Sequence, residues 1–589
     1  MQKVIVFTIL LFLSWSHTGQ PADSGQRLQT DGQGQIYTAQ VEDTLDHLAD
    51  KYYHDRSAWP AIWLATNAIA QEEDRFETLP DRHLIRPGQL LRIPPQAELA
   101  GWLGQYAAAG HPLTTAPQLE PMGSHWLADF AGYVEDNRQH FRIPGAALAL
   151  VRGNQIALAR GFGVRELGRE AAVTPETVFA IGSTTKSMNS MLMATLVDAG
   201  VVDWDQPVVE IWPDFKLSDP TISPSLRVRD LLNMSSGLPR ADLVWSGAGL
   251  TAEQVIESLS TMPLTASPRQ RFQYNNQAVA TGGYLGALAA GGSYGRLDQA
   301  YADLLQARII EPIGMSSTSL SVEAAQANPN HATPHDFTLF AEVLPTHYHA
   351  DTGIDPAGAV NANVLDLARF LMTQLNRGVS PNGTRIVSEQ NLVETWQPQI
   401  EAYPGTSYAL GWFVESYQDV EMIWHDGDVL GFKSLFVFIP EANVGLVLLT
   451  NRTISYGFSS SVRYHLIEAL YGLDVSAGDQ FRAQWDAFIE ALPGIRAPLT
   501  AVVSPDEVAP YLGAYAAGWR VEQRTDGTLW ASRGPYEWQL LAAGSGEFIV
   551  NNGFGITTPL QFTMAETGLV TMQFRLSTGE VGEYPQLEQ

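Results

Sequence analysis

Two strand-forming blocks lie at opposite ends of one long stretch of this chain, with mostly helical and loop sequence between them. The first is GAALALVRGNQIALARGFGVREL from Gly145, two apolar runs folded back around the Arg152-Gly153-Asn154 turn. The second is MIWHDGDVLGFKSLFVFIPEANVGLVLLTN from Met422, followed by a helical pattern over Ser459 to Tyr471. Strands at both ends of a helical stretch imply an α+β domain whose sheet joins distant parts of the chain. Residues 124–475 are expected to form that domain.

The flanks read differently. Residues 1–20 open with a free amine and Lys3, run through an apolar stretch from Val4 to Trp15 and end in small and polar residues. That core of roughly 12 residues is too short for the ~20 needed to cross a bilayer and reads as a secretory signal peptide, so the protein is expected to be exported, periplasmic or extracellular. In residues 35–95, Leu45, Leu48, Ala49 and Tyr52 share one helical face and Trp59, Ile62, Trp63 and Thr66 another, between short strands at Ile36 to Ala39 and Leu90 to Ile93. Tyr37-Thr38-Ala39, Glu42-Asp43-Thr44-Leu45, Asn67 and the closing Pro87-Gly-Gln-Leu-Leu-Arg-Ile-Pro94 make this βααβ unit similar to a LysM domain. The resemblance implies binding of peptidoglycan or another N-acetylglucosamine-containing glycan, with Asp43, Thr44 and Asn67 as the glycan-binding residues. Glu42 stands where the family usually has glycine, and Gln71 to Arg82 is an insertion near the family's glycan groove. Residues 96–123, rich in Ala, Gly, Pro and Thr, read as a linker, and residues 500–589 as a small accessory β domain with a turn at Asp526-Gly527.

Composition excludes several functions. A net charge of -28 opposes binding to phosphate backbones, so no nucleic-acid partner is expected. The absence of cysteine removes disulfides, thiolate metal sites, a cysteine-linked lipid anchor and a cysteine nucleophile. His347-x-His349 lacks a third convergent ligand and reads as ordinary loop histidines, so no metal or other cofactor is expected.

The chemistry begins at FAIGSTTKSMNSMLMATLVDAG, residues 179–200. Only five lysines occur in the chain, and Lys186 stands three residues after Ser183 beside an apolar run. Residues i and i+3 share a helix face, so with Ser183 in the first turn the two side chains can hydrogen-bond. A serine nucleophile needs an adjacent base and a site for the oxyanion it creates. Partial burial by Met188, Met191 and Leu192 would depress the Lys186 ammonium and let it take a proton. One Ser-x-x-Lys pair decides little alone. Tyr274-Asn275-Asn276, just before a helical pattern, and His425-Asp426-Gly427, within the second strand block, complete a set in this order.

These motifs, with IPGAALALV, TPETVFAIGSTTKSM, RVRDLLNMSSGLP, IIEPIGMSSTSL, PAGAVNANVLDLARFL and GWFV around them, resemble the penicillin-recognising serine hydrolases, particularly the class C β-lactamase and DD-peptidase branch. The resemblance covers about 350 residues and implies a β-lactamase/transpeptidase-like fold, an antiparallel sheet flanked by helices. It also implies the roles. Ser183 forms an acyl-enzyme; Lys186 and Tyr274 take its proton and pass it to the leaving group, Tyr274 with a lowered pKa beside Lys186. Asn276 orients the substrate amide and the lysine, and His425 lies on the edge strand across the cleft. The backbone N–H groups of Ser183 and Asp428 form the oxyanion hole, and Gly427 leaves the strand bare for the substrate. The deacylation base of class A enzymes has no recognisable counterpart here, in keeping with the class C branch.

β-Lactamases usually carry lysine where this chain has His425, a permanent cation for the drug's carboxylate, whereas histidine is mostly neutral at pH 7. The expected activity is therefore hydrolysis of an amide or ester bond, of peptidoglycan stem peptides or D-amino-acid derivatives. A carboxylesterase or weak β-lactamase of the same fold is the alternative. The rival of another class is a wall-binding or sensing protein that acylates without turnover. Gly291-Gly-Ser293-Tyr-Gly295 matches the G-x-S-x-G nucleophile elbow, but it lacks the preceding strand and reads as a loop between helices.

Overall fold

A computed structural model of the chain describes residues 29–31, 34–39, 45–53, 58–73, 75–79, 89–108, 119–349, 351–473, 477–551, 558–576 and 580–587. The expected signal peptide, Asp43 and Thr44 lie outside these residues. The chain divides into two units, Met1–Glu120 and Pro121–Gln589.

In the first unit, strand Gly34–Thr38 pairs antiparallel with Leu90–Ile93, and Gln29–Asp31 adds a third strand on its other side. Helices Leu45–Tyr53 and Trp59–Ile69 run between the paired strands, closing over Leu45, Leu48, Ala49, Ile62, Leu91 and Ile93. The segment read as a linker carries a helix of its own, Leu99–Ala108. Its Tyr106 meets the ring of Trp59 edge-on with centroids 5.4 Å apart, so this unit's core continues past residue 95. Leu99 and Tyr106, set in an Ala/Gly-rich run, gave that segment a face to bury.

In the second unit the two strand blocks do meet. Helix α1 (Ser124–His140) leads into β1 (Gly145–Arg152) and β2 (Gln155–Gly163). The helical part includes α2 (Thr185–Asp198), the single-turn α3 (Asp242–Trp245), α4 (Asn276–Ala289) and α5 (Val364–Leu375). The chain then returns as β3 (Ile400–Tyr403), β4 (Thr406–Tyr408), β5 (Phe413–Tyr417), β6 (Val420–Val429), β7 (Phe432–Ile439) and β8 (Val444–Thr450). All eight strands form one antiparallel sheet in the order β3-β4-β5-β6-β7-β8-β1-β2. Every residue of β7 and β8 is buried, because helices cover the sheet centre; this is why FVFI and GLVLL read as continuous apolar runs rather than alternating ones. Helix α5 packs on β8 and β1, while α6 (Tyr456–Tyr471) packs on β7 and α1. Ser293 sits in the turn between α4 and the next helix, so G-x-S-x-G is a Gly-rich connection with no strand before it.

Helix α7 (Ala477–Arg496) carries the chain to the C-terminal strands. There β9 (Gly513–Ala514), β10 (Trp519–Gln523), β11 (Leu529–Arg533), β12 (Tyr536–Gly544), β13 (Glu547–Val550), β14 (Pro559–Met564), β15 (Val570–Arg575) and β16 (Val581–Pro585) pair in simple succession. A bridge between Tyr515 and Gln586 brings the last strand back to the first and closes the meander into a barrel. Inward residues such as Trp519, Val521, Leu529, Ala531, Trp538, Leu540, Phe562 and Phe574 form its core.

Candidate active site

Ser183 lies in a 3-10 turn, Gly182–Thr184, immediately ahead of α2 rather than in the first α-helical turn. The turn is pinned from both sides. Thr184 Oγ1 and Ser434 Oγ both donate to the carbonyl of Ile181, at 2.8 and 2.6 Å, which fixes the strand-to-helix corner against β7. Gly182 has φ +52°, and a Cβ there would come 2.8 Å from the Asp428 carbonyl, so glycine lets the turn lie directly on β6.

Lys186, one turn on, is fully buried, with its Nζ 2.9 Å from Ser183 Oγ and donating to the carbonyl of Ala357 at 2.7 Å. Burial holds its ammonium well below the usual lysine range, opposed by the negative field of Asp242 and reinforced by Arg240. A neutral amine can donate to Ala357 and still offer its lone pair to the Ser183 hydroxyl.

Tyr274 is the residue just before the N-cap of α4. Asn275, the middle residue of Tyr-x-Asn, caps that helix by accepting from the Ala278 N–H at 2.7 Å. The Tyr274 ring lies 5.0 Å from Lys186 Nζ and 5.2 Å from the Arg240 guanidinium. The expectation of a lowered Tyr274 pKa is corrected. Burial pushes the phenol up, and its hydrogen bond with the Ser183 side chain and the nearby Arg240 only partly offset this. At neutral pH Tyr274 is a phenol, so of this pair Lys186 is the base.

Asn276 was expected to orient the lysine and the substrate amide. Its amide nitrogen instead donates to Asp242 Oδ1 at 3.0 Å, and Asp242 also accepts from Arg240. His425 was expected on an edge strand. Its strand, β6, is interior to the sheet, but pairing with β5 ends at Trp424, so from His425 onward β6 is bonded to β7 alone and leaves one side bare. His425 is almost wholly buried, with Nδ1 2.6 Å from the Asp426 carbonyl and Nε2 3.1 Å from the Tyr408 hydroxyl. Nδ1 therefore carries the proton, Nε2 accepts from Tyr408, and neither nitrogen is left over for a substrate. Burial pushes its pKa down to about 4, so the ring is neutral across the physiological range.

Gly427 also has a different reason. The space its missing side chain leaves is filled by the nucleophile turn rather than left for substrate: a Cβ there would lie 2.0 Å from the Ile181 carbonyl oxygen and 2.9 Å from the Ser183 nitrogen. The absent side chain brings the Ser183 N–H against the strand that carries Asp428. The Asp428 side chain, 62% exposed, pairs with Lys433 Nζ at 2.7 Å, and Asp426 pairs with the same nitrogen at 2.7 Å. Asp428 faces Lys433 across β6 and β7, with Asp426 two residues along on the same face.

Away from this cleft, Asn67 is committed to backbone: it accepts from the Leu79 N–H at 2.6 Å and donates to the Leu79 carbonyl at 3.1 Å. It clasps the 75–79 segment, so both ends of its amide have a structural partner there. His347 and His349 lie with ring centroids 5.5 Å apart, and His349 packs against Tyr536. Sequence reasoning missed Arg240, Asp242, Tyr408 and Lys433. Only Lys433 left a signal, as another of the five lysines set in a strongly apolar run.

The Beta-lactamase family model matches residues 130–470. The unguisins hydrolase ungD' of Aspergillus campestris is 30% identical over 391 residues, 63% of this chain and 70% of that protein. Penicillin-binding protein 4 of Amycolatopsis lactamdurans is 26% identical over 405 residues, 67% of this chain and 97% of that one. Among solved structures, the octameric penicillin-binding protein homologue from Pyrococcus abyssi shares the fold at TM-score 0.52 and 19% identity, covering 78% of this chain and 99% of that chain. Because the family match takes in the whole large sheet and every segment that converges on Ser183, this chain belongs to the Beta-lactamase family and is a serine hydrolase.

Proposed function

We propose that the protein cleaves an amide or ester bond through an acyl-enzyme on Ser183. Ser183 Oγ attacks the carbonyl carbon while its proton passes to the Lys186 amine, whose protonated form burial disfavours. The tetrahedral oxyanion accepts hydrogen bonds from the N–H groups of Ser183 and Asp428. Collapse breaks the bond to the leaving group, which takes a proton from the Lys186–Tyr274 pair, Tyr274 serving as the acid that Lys186 recharges. Water then attacks the ester by the reverse path and frees Ser183. The observation that carries this reading is the buried Lys186 amine, 2.9 Å from Ser183 Oγ and depressed by burial.

The substrate class follows from charge. The group at position 425 is a neutral imidazole with both nitrogens engaged, and the Lys433 cation is shared between Asp426 and Asp428. A carboxylate beside the scissile bond gains little at that place, which favours a carbonyl within a peptide or ester over a β-lactam. Relatives named as an unguisins hydrolase and a penicillin-binding protein support a hydrolase of this fold. Peptidoglycan stem peptides and D-amino-acid derivatives are the preferred substrates. The leader-like residues 1–20 and the LysM-like unit support export and retention on an N-acetylglucosamine-containing glycan.

The test is intact mass after incubation with a fluorophosphonate and, separately, a fluorescent penicillin, with Ser183→Ala as control. Phosphonylation of Ser183 with turnover of D-amino-acid amides or p-nitrophenyl esters supports the proposal. A penicilloyl adduct without turnover would identify a sensor, and no adduct with either reagent would remove the nucleophile assignment.

A further inference from the structure

Between the barrel and the reacting groups stands α3, Asp242–Trp245, a helix too short to hold itself in place by its own hydrogen bonds. The barrel holds it at both ends. Glu580, just before β16, accepts from the Asp242 N–H at 2.9 Å through one carboxyl oxygen and from the Leu243 N–H at 2.8 Å through the other. Arg533 of β11, 4% exposed, donates to the Leu243 carbonyl at 2.6 Å and the Ser246 carbonyl at 2.9 Å. The Leu243 side chain inserts among the barrel's own core residues. One residue later Gly247 donates to Asp351, which also accepts from Tyr536 of β12.

The other side of α3 faces the chemistry. Asp242, whose backbone N–H is bonded by the barrel, turns its carboxylate to Asn276 and to Arg240. Beside it, the Ala241 carbonyl accepts from Gln277 at 3.1 Å. Arg240 lies over the Tyr274 ring, and Asp242 is the leading charge acting on Lys186. The backbone of Asp242 thus belongs to the barrel and its side chain to the active site, and one cannot shift without the other.

We propose that the C-terminal barrel completes the active site, with Glu580 as a positioning residue that fixes α3 and so sets Asp242, Asn276 and Arg240 around Tyr274 and Lys186. Glu580 acts through Asp242 and touches no reacting atom. The inference rests on the acyl-enzyme reading given above, and it makes the barrel a contributor to turnover rather than an appendage. Misplacing catalytic groups by about 1 Å costs on the order of 100-fold in rate, so loosening α3 is expected to be visible in kcat.

The experiment uses the full-length protein, with Ser183 phosphonylation by a fluorophosphonate and kcat and KM on a p-nitrophenyl ester as readouts. Glu580→Ala, Glu580→Gln, Asn276→Ala and the Glu580→Ala/Asn276→Ala pair are compared, and thermal unfolding corrects each rate for the folded fraction. Glu580→Ala is expected to lower kcat by roughly 10-fold or more with KM within about twofold, and Glu580→Gln, which keeps one acceptor, to recover part of the loss. In the double variant the two losses should fall well short of multiplying, because both act through Asp242. Multiplying losses, or an unchanged kcat in folded Glu580→Ala, would overturn the inference alone. An unreactive Ser183 in the wild type would overturn the acyl-enzyme reading and this inference with it. If Glu580→Ala does not fold, Glu580→Gln with and without Asn276→Ala gives the same test of additivity.

Discussion

Gly427→Ala tests the closest approach in the active site. The backbone at Gly427 is not in the left-handed region, so alanine costs nothing conformationally and the effect is steric. The added Cβ would meet the Ile181 carbonyl oxygen at 2.0 Å, Ser434 Oγ at 2.5 Å and the Ser183 nitrogen at 2.9 Å. A comfortable C···O approach is about 3.3 Å, so more than 1 Å must be found between β6 and the nucleophile turn. Ile181 cannot yield that distance alone, because its carbonyl is held by both Thr184 and Ser434. The strain is worth about 1–3 kcal/mol of stability. Pushing the Ser183 N–H away from Asp428 forfeits an oxyanion donor, about 2.7–4 kcal/mol in the transition state, or 100- to 1,000-fold in kcat. Gly132→Ala in α1, where a Cβ meets nothing within 4 Å, provides the control for a glycine-to-alanine change as such. The assays are the rate of Ser183 phosphonylation, p-nitrophenyl ester turnover and thermal unfolding. A folded Gly427→Ala that reacts within about threefold of the wild type would refute the assignment of an oxyanion hole between Ser183 and Asp428.

Lys186→Met should lower the acylation rate by about 1,000-fold or more and raise the melting temperature at pH 7, since it removes a buried amine for an apolar chain of similar length. In the wild type, acylation should rise with pH through the depressed Lys186 pKa, well below 10.5, and stability should rise as pH approaches 10.5, where the unfolded chain also loses that proton. His425 has a folded pKa of about 4 against 6.5 unfolded, so the unfolded state binds the extra proton and stability is lost as pH falls from 6.5 to about 4. Urea midpoints across that window should be steeper in pH for the wild type than for His425→Gln, and equal slopes would show that His425 is not buried neutral. Lys433→Ala leaves Asp426 and Asp428 side by side on one strand face without their shared cation and should cost about 3 kcal/mol in urea unfolding, toward the low end for a buried pair because Asp428 is largely exposed.

The sequence by itself determined the local and the ordered features. Ser183 and Lys186 meet because three residues along a helical path place them on one face, and the apolar runs that became β7 and β8 read as strands. Tyr274 and His425 were legible through the order of their motifs. The helix at Leu99–Ala108 was hidden by a linker-like composition, because its Tyr106 matters only once Trp59 and Trp63 stand opposite it. Protonation depended on burial: the same fold that depresses the Lys186 pKa pushes Tyr274 up and His425 down, and no spacing in the chain encodes the depth at which a side chain comes to rest. Asp242 and Glu580 carried no motif at all, since their roles exist only where a one-turn helix meets a barrel strand 338 residues away in the chain. Short-range hydrogen bonding and periodicity are written into neighbouring residues and can be read there. Close approaches such as Gly427 against Ile181, and the positioning of Asn276 through Asp242, arise from surfaces brought together by the whole packed core, and only the tertiary structure decided them.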